Sequence, residues 1–237
     1  MSPLRSTVEG LKKAVSKRLN KDVLSEGVVE DNLAWNKKRW GSESLWRGKD
    51  KFGYQWGGGH MQSYTGVVRI AENHLLPHLG ERRDYDVVEI APGAGRFTTE
   101  LIRVAKTLAL VDYTEACIKV CRERFQYYDH IAYHVNDGRS LSMLEDESAD
   151  LVASFDALVH VVPEIIREYV IDIKRVLRPG GLAWLDHSGK GVRESGRRTA
   201  MTAEKMQEFA AELGLEVVAQ HFRNDHDSIS VLRKPEA

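Results

Sequence analysis

Long apolar runs are missing from this chain of 237 residues. None approaches the roughly 20 residues needed to cross a bilayer, so no transmembrane segment is expected. A charge excess of one sign is missing too: 34 Lys and Arg meet 35 Asp and Glu, for a net charge of −1. That balance gives no global attraction for nucleic acid or an anionic membrane. Cysteine is scarce, with only Cys117 and Cys121. Four apart in a helical pattern, they share a face and read as small core residues, because two thiols do not complete a zinc site. The opening "MSPLRSTVEG" lacks the apolar core of a secretory signal. Repeats and low-complexity tracts are absent. Together these absences lead to the expectation of a soluble, reducing, cytoplasmic setting.

What is present divides near residue 80. Residues 1–80 are rich in Trp, Gly, Lys and Arg with weak periodicity and read as a lid or cap segment; residues 81–237 alternate strands and helices and read as the main, sheet-forming domain. Strands are expected at Asp86–Ala91, Thr107–Asp112, Ile131–Asn136, Ala149–Phe155, Leu182–Asp186, Glu216–Phe222 and Ser228–Arg233. Helices are expected at Gly95–Val104, Glu115–Phe125 and Pro163–Leu177. The last carries a stripe of Ile166, Tyr169, Val170, Ile173 and Val176 at 3.6-residue spacing. A further helix, capped by Thr202, would bury Met206, Phe209, Ala210 and Leu213. Such alternation implies an α/β, doubly wound, mostly parallel sheet covered by helices on both faces.

The stretch "YDVVEIAPGAGRFTTEL" runs a buried strand into a glycine turn. A dinucleotide fingerprint would need a third glycine where Thr98 stands, and no Gly-Lys-Ser/Thr follows to make a Walker loop. Glu89 lies two residues before the strand ends. Its charge opposes a dianionic pyrophosphate and suits a cationic ligand. S-adenosylmethionine brings a sulfonium and an ammonium, and its carboxylate can accept from amides at a helix N-terminus.

Five motifs in order resemble those of the class I S-adenosylmethionine-dependent methyltransferases: "VVEIAPGAGRFT", "LVDYT", "VNDGRSL", "DLVASFDALVHV" and "LRPGGLAWL". The resemblance covers roughly residues 84–233. It implies a Rossmann-like sheet of seven strands, the last inserted antiparallel between the fifth and sixth. It also implies S-adenosylmethionine held by Glu89, Ala91, Gly93 and Gly95 of the first motif. Asp112 would hold the ribose hydroxyls, with Tyr113 packed on the adenine. Asp137 would accept from the adenine amino group, with Asn136 and Gly138 beside it and Phe155 in the fourth motif.

Methyl transfer is an in-line displacement, so the acceptor must be aligned and water excluded. An alcohol acceptor needs a general base or a metal at neutral pH. Polar groups gather at the carboxyl edge of the expected sheet: Asp156 and His160, Asp186 and His187, then Asn224, Asp225, His226 and Asp227. His160 is the first choice of base, with His187 as alternative base or acceptor partner and Asp156 alongside. A competing arrangement sets Asp156, Asp186 and Asp225 or Asp227 around a hard cation such as magnesium.

Four tryptophans, Trp35, Trp40, Trp46 and Trp56, the last within "FGYQWGGGHMQSY", suit either a small anchoring core or an aromatic lid over an acceptor. Trp56, His60, Tyr64 and His226 are candidate acceptor contacts. Upstream, Val8, Leu11, Val15 and Leu19 make the stripe of a basic helix, and homo-oligomerisation stays open. No Asn/Asp-Pro-Pro-aromatic motif follows the fourth strand, which argues against a nucleic-acid substrate. The segments "GYQWGGGH", "EIAPGAGRFT", "VNDG" and "WLDHSGKG" resemble bacterial sugar O-methyltransferases of polysaccharide biosynthesis, which implies a mannoside-like small-molecule or oligosaccharide acceptor. A small-molecule N-methyltransferase and a non-catalytic S-adenosylmethionine-binding protein are the alternatives.

Overall fold

The structure, a computed structural model, describes residues 28–47, 64–192 and 198–236. The basic stripe at Val8–Leu19, together with Trp56 and His60, lies outside the described residues. Seven strands form one sheet: β1 (Tyr85–Ile90), β2 (Ala105–Asp112), β3 (Ile131–Val135), β4 (Ala149–Leu158), β5 (Leu177–Ser188), β6 (Glu216–Phe222) and β7 (Asp227–Arg233). Their order is β3-β2-β1-β4-β5-β7-β6. The first five pair in parallel, and β7 runs antiparallel between β5 and β6. The doubly wound sheet with its inserted last strand is therefore as expected.

Helices α1 (residues 28–40), α2 (Glu43–Arg47), α3 (Tyr64–Ile70), α4 (Leu76–Leu79), α5 (Thr98–Leu101), α6 (Glu115–Arg124), α7 (Pro163–Val176) and α8 (Ala203–Leu213) complete the order. Period-two alternation sends neighbouring strand residues to opposite cores. Val88, Ile90, Ala183 and Leu185 pack with the α7 stripe and with Met206 and Ala210 of α8. Val87, Leu182 and Trp184 pack on the other face with Phe97, Leu101 and Cys121. The Thr202 hydroxyl accepts from the Lys205 amide, so α8 starts at the expected cap. Cys117 and Cys121 are buried free thiols.

Three local readings change. The expected ten-residue helix after β1 shrinks to the single turn of α5, because Gly93 (φ 59°) and Gly95 (φ 78°) are left-handed. A Cβ on Gly95 would lie 2.3 Å from the Phe125 ring, so the turn is sterically fixed as well. β5 begins at Leu177 rather than Leu182. Leu177 pairs with Ala149, and Arg178–Gly181 form a bulge whose Gly180 amide and Gly181 carbonyl bond to Lys234. Finally, residues 64–79 are helical, α3 passing through a π-helical stretch, Ala71–Leu75, into α4. Val67, Ile70, Ala71, Leu75 and Leu79 pack on Phe97, Leu101 and Trp184, so this part of the expected cap joins the sheet core.

Candidate functional site

One cavity of about 280 Å³ opens at the carboxyl ends of β1, β2 and β4. That edge is where ligands bind in sheets of this kind. Its floor is the turn after β1. Ala91 has φ 56°, and the Ala91 amide donates to the Val111 carbonyl at 2.7 Å. Glu89, 1% exposed, accepts a 2.5 Å bond from the Thr98 hydroxyl. Burial pushes its carboxyl up to about 8, and the charge of Asp112 adds to the shift. Asp112 accepts from the amide and hydroxyl of Thr114 at 2.7 and 2.9 Å, yet burial still raises it to about 6.

Two buried carboxylates held above their ordinary range mark a place that favours positive charge. The chemistry fits a ligand with a sulfonium and an ammonium, and it disfavours a pyrophosphate. The turn itself is closely built. A Cβ on Gly93 would come 2.9 Å from the Trp46 ring, which therefore sits directly over the turn. Tyr113 lines the cavity. Gly138 (φ 82°) lies under Leu33 and the Tyr113 ring, with no room for a side chain. Phe155 also lines the cavity and stacks on Phe97 at 5.0 Å.

Asn136 and Asp137 have other occupations. Asn136 donates to the Ser140 carbonyl and the Tyr169 hydroxyl, and it accepts from the Gly138 amide. Asp137 accepts from the amides of Arg139 and Ser140 at 2.9 and 2.8 Å. Neither lines the cavity, so the structure gives them turn-forming contacts and leaves Gly138 alone of the three at the wall.

The opposite wall of the cavity carries His160, Asp156 and the Trp40 and Trp46 rings. His160 packs on Trp35 and Trp40, with ring centroids 5.9 and 5.4 Å apart. Trp40 continues to Trp46 at 5.6 Å, and the Trp46 indole donates to the Trp40 carbonyl at 2.6 Å. Asn32 and Asn36 of α1 donate to the His160 carbonyl at 2.9 and 3.3 Å, fastening the helix to the turn after β4. Two cross pairs, Glu43 with Lys119 and Arg47 with Glu123, fasten α2 to α6.

His187 does not reach this cavity. It is fully buried, donates from Nδ1 to the Ser188 carbonyl at 2.8 Å, and accepts at Nε2 from the Ser230 hydroxyl at 2.7 Å. Burial lowers it to about 4, which keeps the imidazole neutral. His226 sits in the β6–β7 hairpin, outside the cavity lining, with its amide donating to Asn224. Tyr64 begins α3.

The carboxylates grouped for magnesium do converge, but around a cation the sequence reading left out. The Arg223 side chain, 2% exposed, lies 3.1 Å from Asp156, 3.1 Å from Asp186 and 3.0 Å from Asp227. Arg96 adds a 2.8 Å contact to Asp156 and Arg198 a 2.6 Å contact to Asp227. Asp225 is exposed in the same hairpin. Among the described residues, no group of three or more His, Cys, Asp or Glu is disposed to hold a metal ion. Burial works against ionisation of Asp156, but Arg223 and Arg96 outweigh it and hold the carboxyl below its ordinary range. Arg96 and Arg223 escaped notice because their signal is spatial: one stands in the glycine turn, the other opens "RNDHD", 127 positions later in the chain.

Comparison with known proteins follows the same lines. Residues 88–185 match the methyltransferase domain family. Phosphoethanolamine N-methyltransferase 1 of Caenorhabditis elegans is 35% identical over 114 residues, 48% of this chain. The match spans 24% of that relative's own length, about a quarter. A Pyrococcus horikoshii protein superposes with a TM-score of 0.60 at 20% identity, over 73% of this chain and 92% of its own. An S-adenosylmethionine-dependent methyltransferase from Aquifex aeolicus gives a TM-score of 0.57 at 12% identity, over 73% and 98%. Residues 88–185 are thus similar to methyltransferase domains on a fold shared with solved methyltransferases, and S-adenosylmethionine is the cofactor that this similarity supports.

Proposed function

We propose that the chain transfers a methyl group to a hydroxyl of a small molecule, with a sugar ring as the favoured acceptor. The cofactor supplies an electrophilic methyl on a sulfonium. On this reading Asp112 holds the ribose hydroxyls, Tyr113 flanks the adenine, and Glu89 with the Gly93 turn faces the positively charged end. The carrying observation is that His160 lines the same cavity as the Glu89–Asp112 pair, beside the Trp40 and Trp46 rings that line it too. Indole faces suit the apolar face of a sugar, and an imidazole beside a carboxylate suits removal of a hydroxyl proton. Asp156 is then the charged neighbour that stabilises the imidazolium as it forms. No magnesium is needed, since guanidinium groups already engage the three carboxylates.

A second reading has its own support. The Caenorhabditis elegans relative is named for N-methylation of phosphoethanolamine, and an amine acceptor would need His160 only to orient it. Labelled-methyl transfer to mannosides and other oligosaccharides, set beside ethanolamine and phosphoethanolamine, separates the two. The hydroxyl reading expects label in an alkali-stable sugar ether and a loss of about 10²–10⁴ in kcat for His160→Ala. It expects no change on adding a chelator. Label on an amine, with His160→Ala near wild type, would replace it with the second reading.

A further inference from the structure

The β6–β7 hairpin sends a buried guanidinium onto Asp156, which lines the cavity, and neither methyl transfer nor cofactor binding by itself accounts for it. β4 changes register between Ser154 and Leu158, where Asp156 takes a left-handed φ of 55°. A non-glycine residue persists there only when its surroundings hold it. Every polar atom of Asp156 on that side is held. Its amide donates to Asp186 at 2.9 Å, one carboxylate oxygen accepts from Arg223 at 3.1 Å, and the other from Arg96 at 2.8 Å. The two guanidiniums also flank the Phe155 ring, at 5.1 and 5.2 Å from its centroid.

His160 follows four residues later in a tight turn, its amide donating to the Ala157 carbonyl at 3.1 Å. The imidazole and Asp156 line the same cavity. The side chains of Asp156 and Arg223 are 10% and 2% exposed, so their charges act through a poorly screened medium. Other charges near the imidazole are Arg96 from the glycine turn, Asp186 from β5, Arg198 with Asp227 at the cavity edge, and Arg39 over the Trp40 ring.

We infer that Arg223 is a positioning residue for His160: it pins the Asp156 carboxylate from the hairpin and so sets both the placement and the protonation of the imidazole. The inference rests on the reading of His160 as the base. Arg223 partly neutralises the charge that the imidazolium sees. Removing its positive charge leaves Asp156 less compensated, and the protonated imidazole gains.

The titration needs no acceptor. In the full-length protein with S-adenosylhomocysteine, histidine side-chain NMR follows each imidazole with pH, and His160→Gln identifies the resonance. Arg223→Gln should raise the His160 midpoint by about half a unit or more, and Arg223→Lys, which keeps the charge, should restore most of the wild-type value. A purely structural role would lower the melting temperature and leave the midpoint of the folded protein alone. A wild-type midpoint in folded Arg223→Gln overturns the inference. If that variant does not fold, Asp156→Asn carries the test: its midpoint should fall, and an unmoved midpoint overturns the inference equally. Loss of turnover in His160→Ala with an unmoved titration would leave the base reading standing without this addition. A moved titration with normal turnover in His160→Ala would overturn the base reading and the role of Arg223 with it.

Discussion

Glu89 and His187 show how much a single residue's surroundings decide. Both stand at strand ends in the sequence, and both were readable as site candidates. The structure turns one toward the cavity and packs the other between β5 and β7, a difference of side-chain direction that no spacing records. Glu89 also makes a testable electrostatic statement. Its folded value, about 8, lies above its ordinary 4.5, so the folded state binds a proton that the unfolded state has released. Stability from this group is thus present below about 4.5 and declines as pH rises toward 8. A bound sulfonium and ammonium would reverse the preference and favour the carboxylate. S-adenosylmethionine binding near pH 7 should therefore release close to one proton, and its affinity should rise with pH between 6 and 8. Calorimetry in two buffers of different ionisation enthalpy reads the proton count. A count near zero, or one unchanged in Glu89→Gln, would show that Glu89 does not face the cationic end.

Among the elements, α7 was the most legible, because a wide apolar stripe and the Pro163 start leave one interpretation. The span after β1 was the least. Its composition reads as helical, and only the left-handed glycines and the Phe125 ring above Gly95 reveal a turn. The helical run from Tyr64 to Leu79 was hidden by the Trp- and Gly-rich sequence before it, although Val67, Ile70, Ala71 and Leu75 carry a readable i, i+3, i+4 stripe. The α1–α2 pair yields its own expectation. Trp46 lies over Gly93, so Gly93→Val, which demands φ near 59° and strikes the ring, should abolish cofactor binding. Trp46→Ala keeps the turn and removes its roof. It should weaken S-adenosylmethionine by about tenfold while the melting temperature stays close to wild type. An affinity unaffected by Trp46→Ala would mean that the ring packs on the turn without bordering the cofactor.

Taken as a whole molecule, the topology explains why residues far apart in the chain meet. Five parallel strands carry Glu89, Asp112 and Asp156 to one edge, and the antiparallel β7 brings the hairpin with Arg223 and Asp227 back to that same edge. Alternation along the chain made the sheet class readable, and the order of motifs carried the strand sequence. The guanidinium at the centre of three carboxylates was not readable, because charge pairing across β4, β5 and the hairpin is a property of the closed fold. Among the described residues no helix is long and apolar enough to cross a membrane. The central claim is that this edge is a cofactor site for S-adenosylmethionine built on Asp112. Calorimetric titration of S-adenosylmethionine into wild type and Asp112→Ala, with NAD as rival ligand, tests it most directly. Wild type should bind S-adenosylmethionine and not NAD. Asp112→Ala should lose about 2–3 kcal/mol through charge-assisted bonds to the ribose hydroxyls, with its fold retained. Binding of NAD, or equal affinity for S-adenosylmethionine in both proteins, would contradict it.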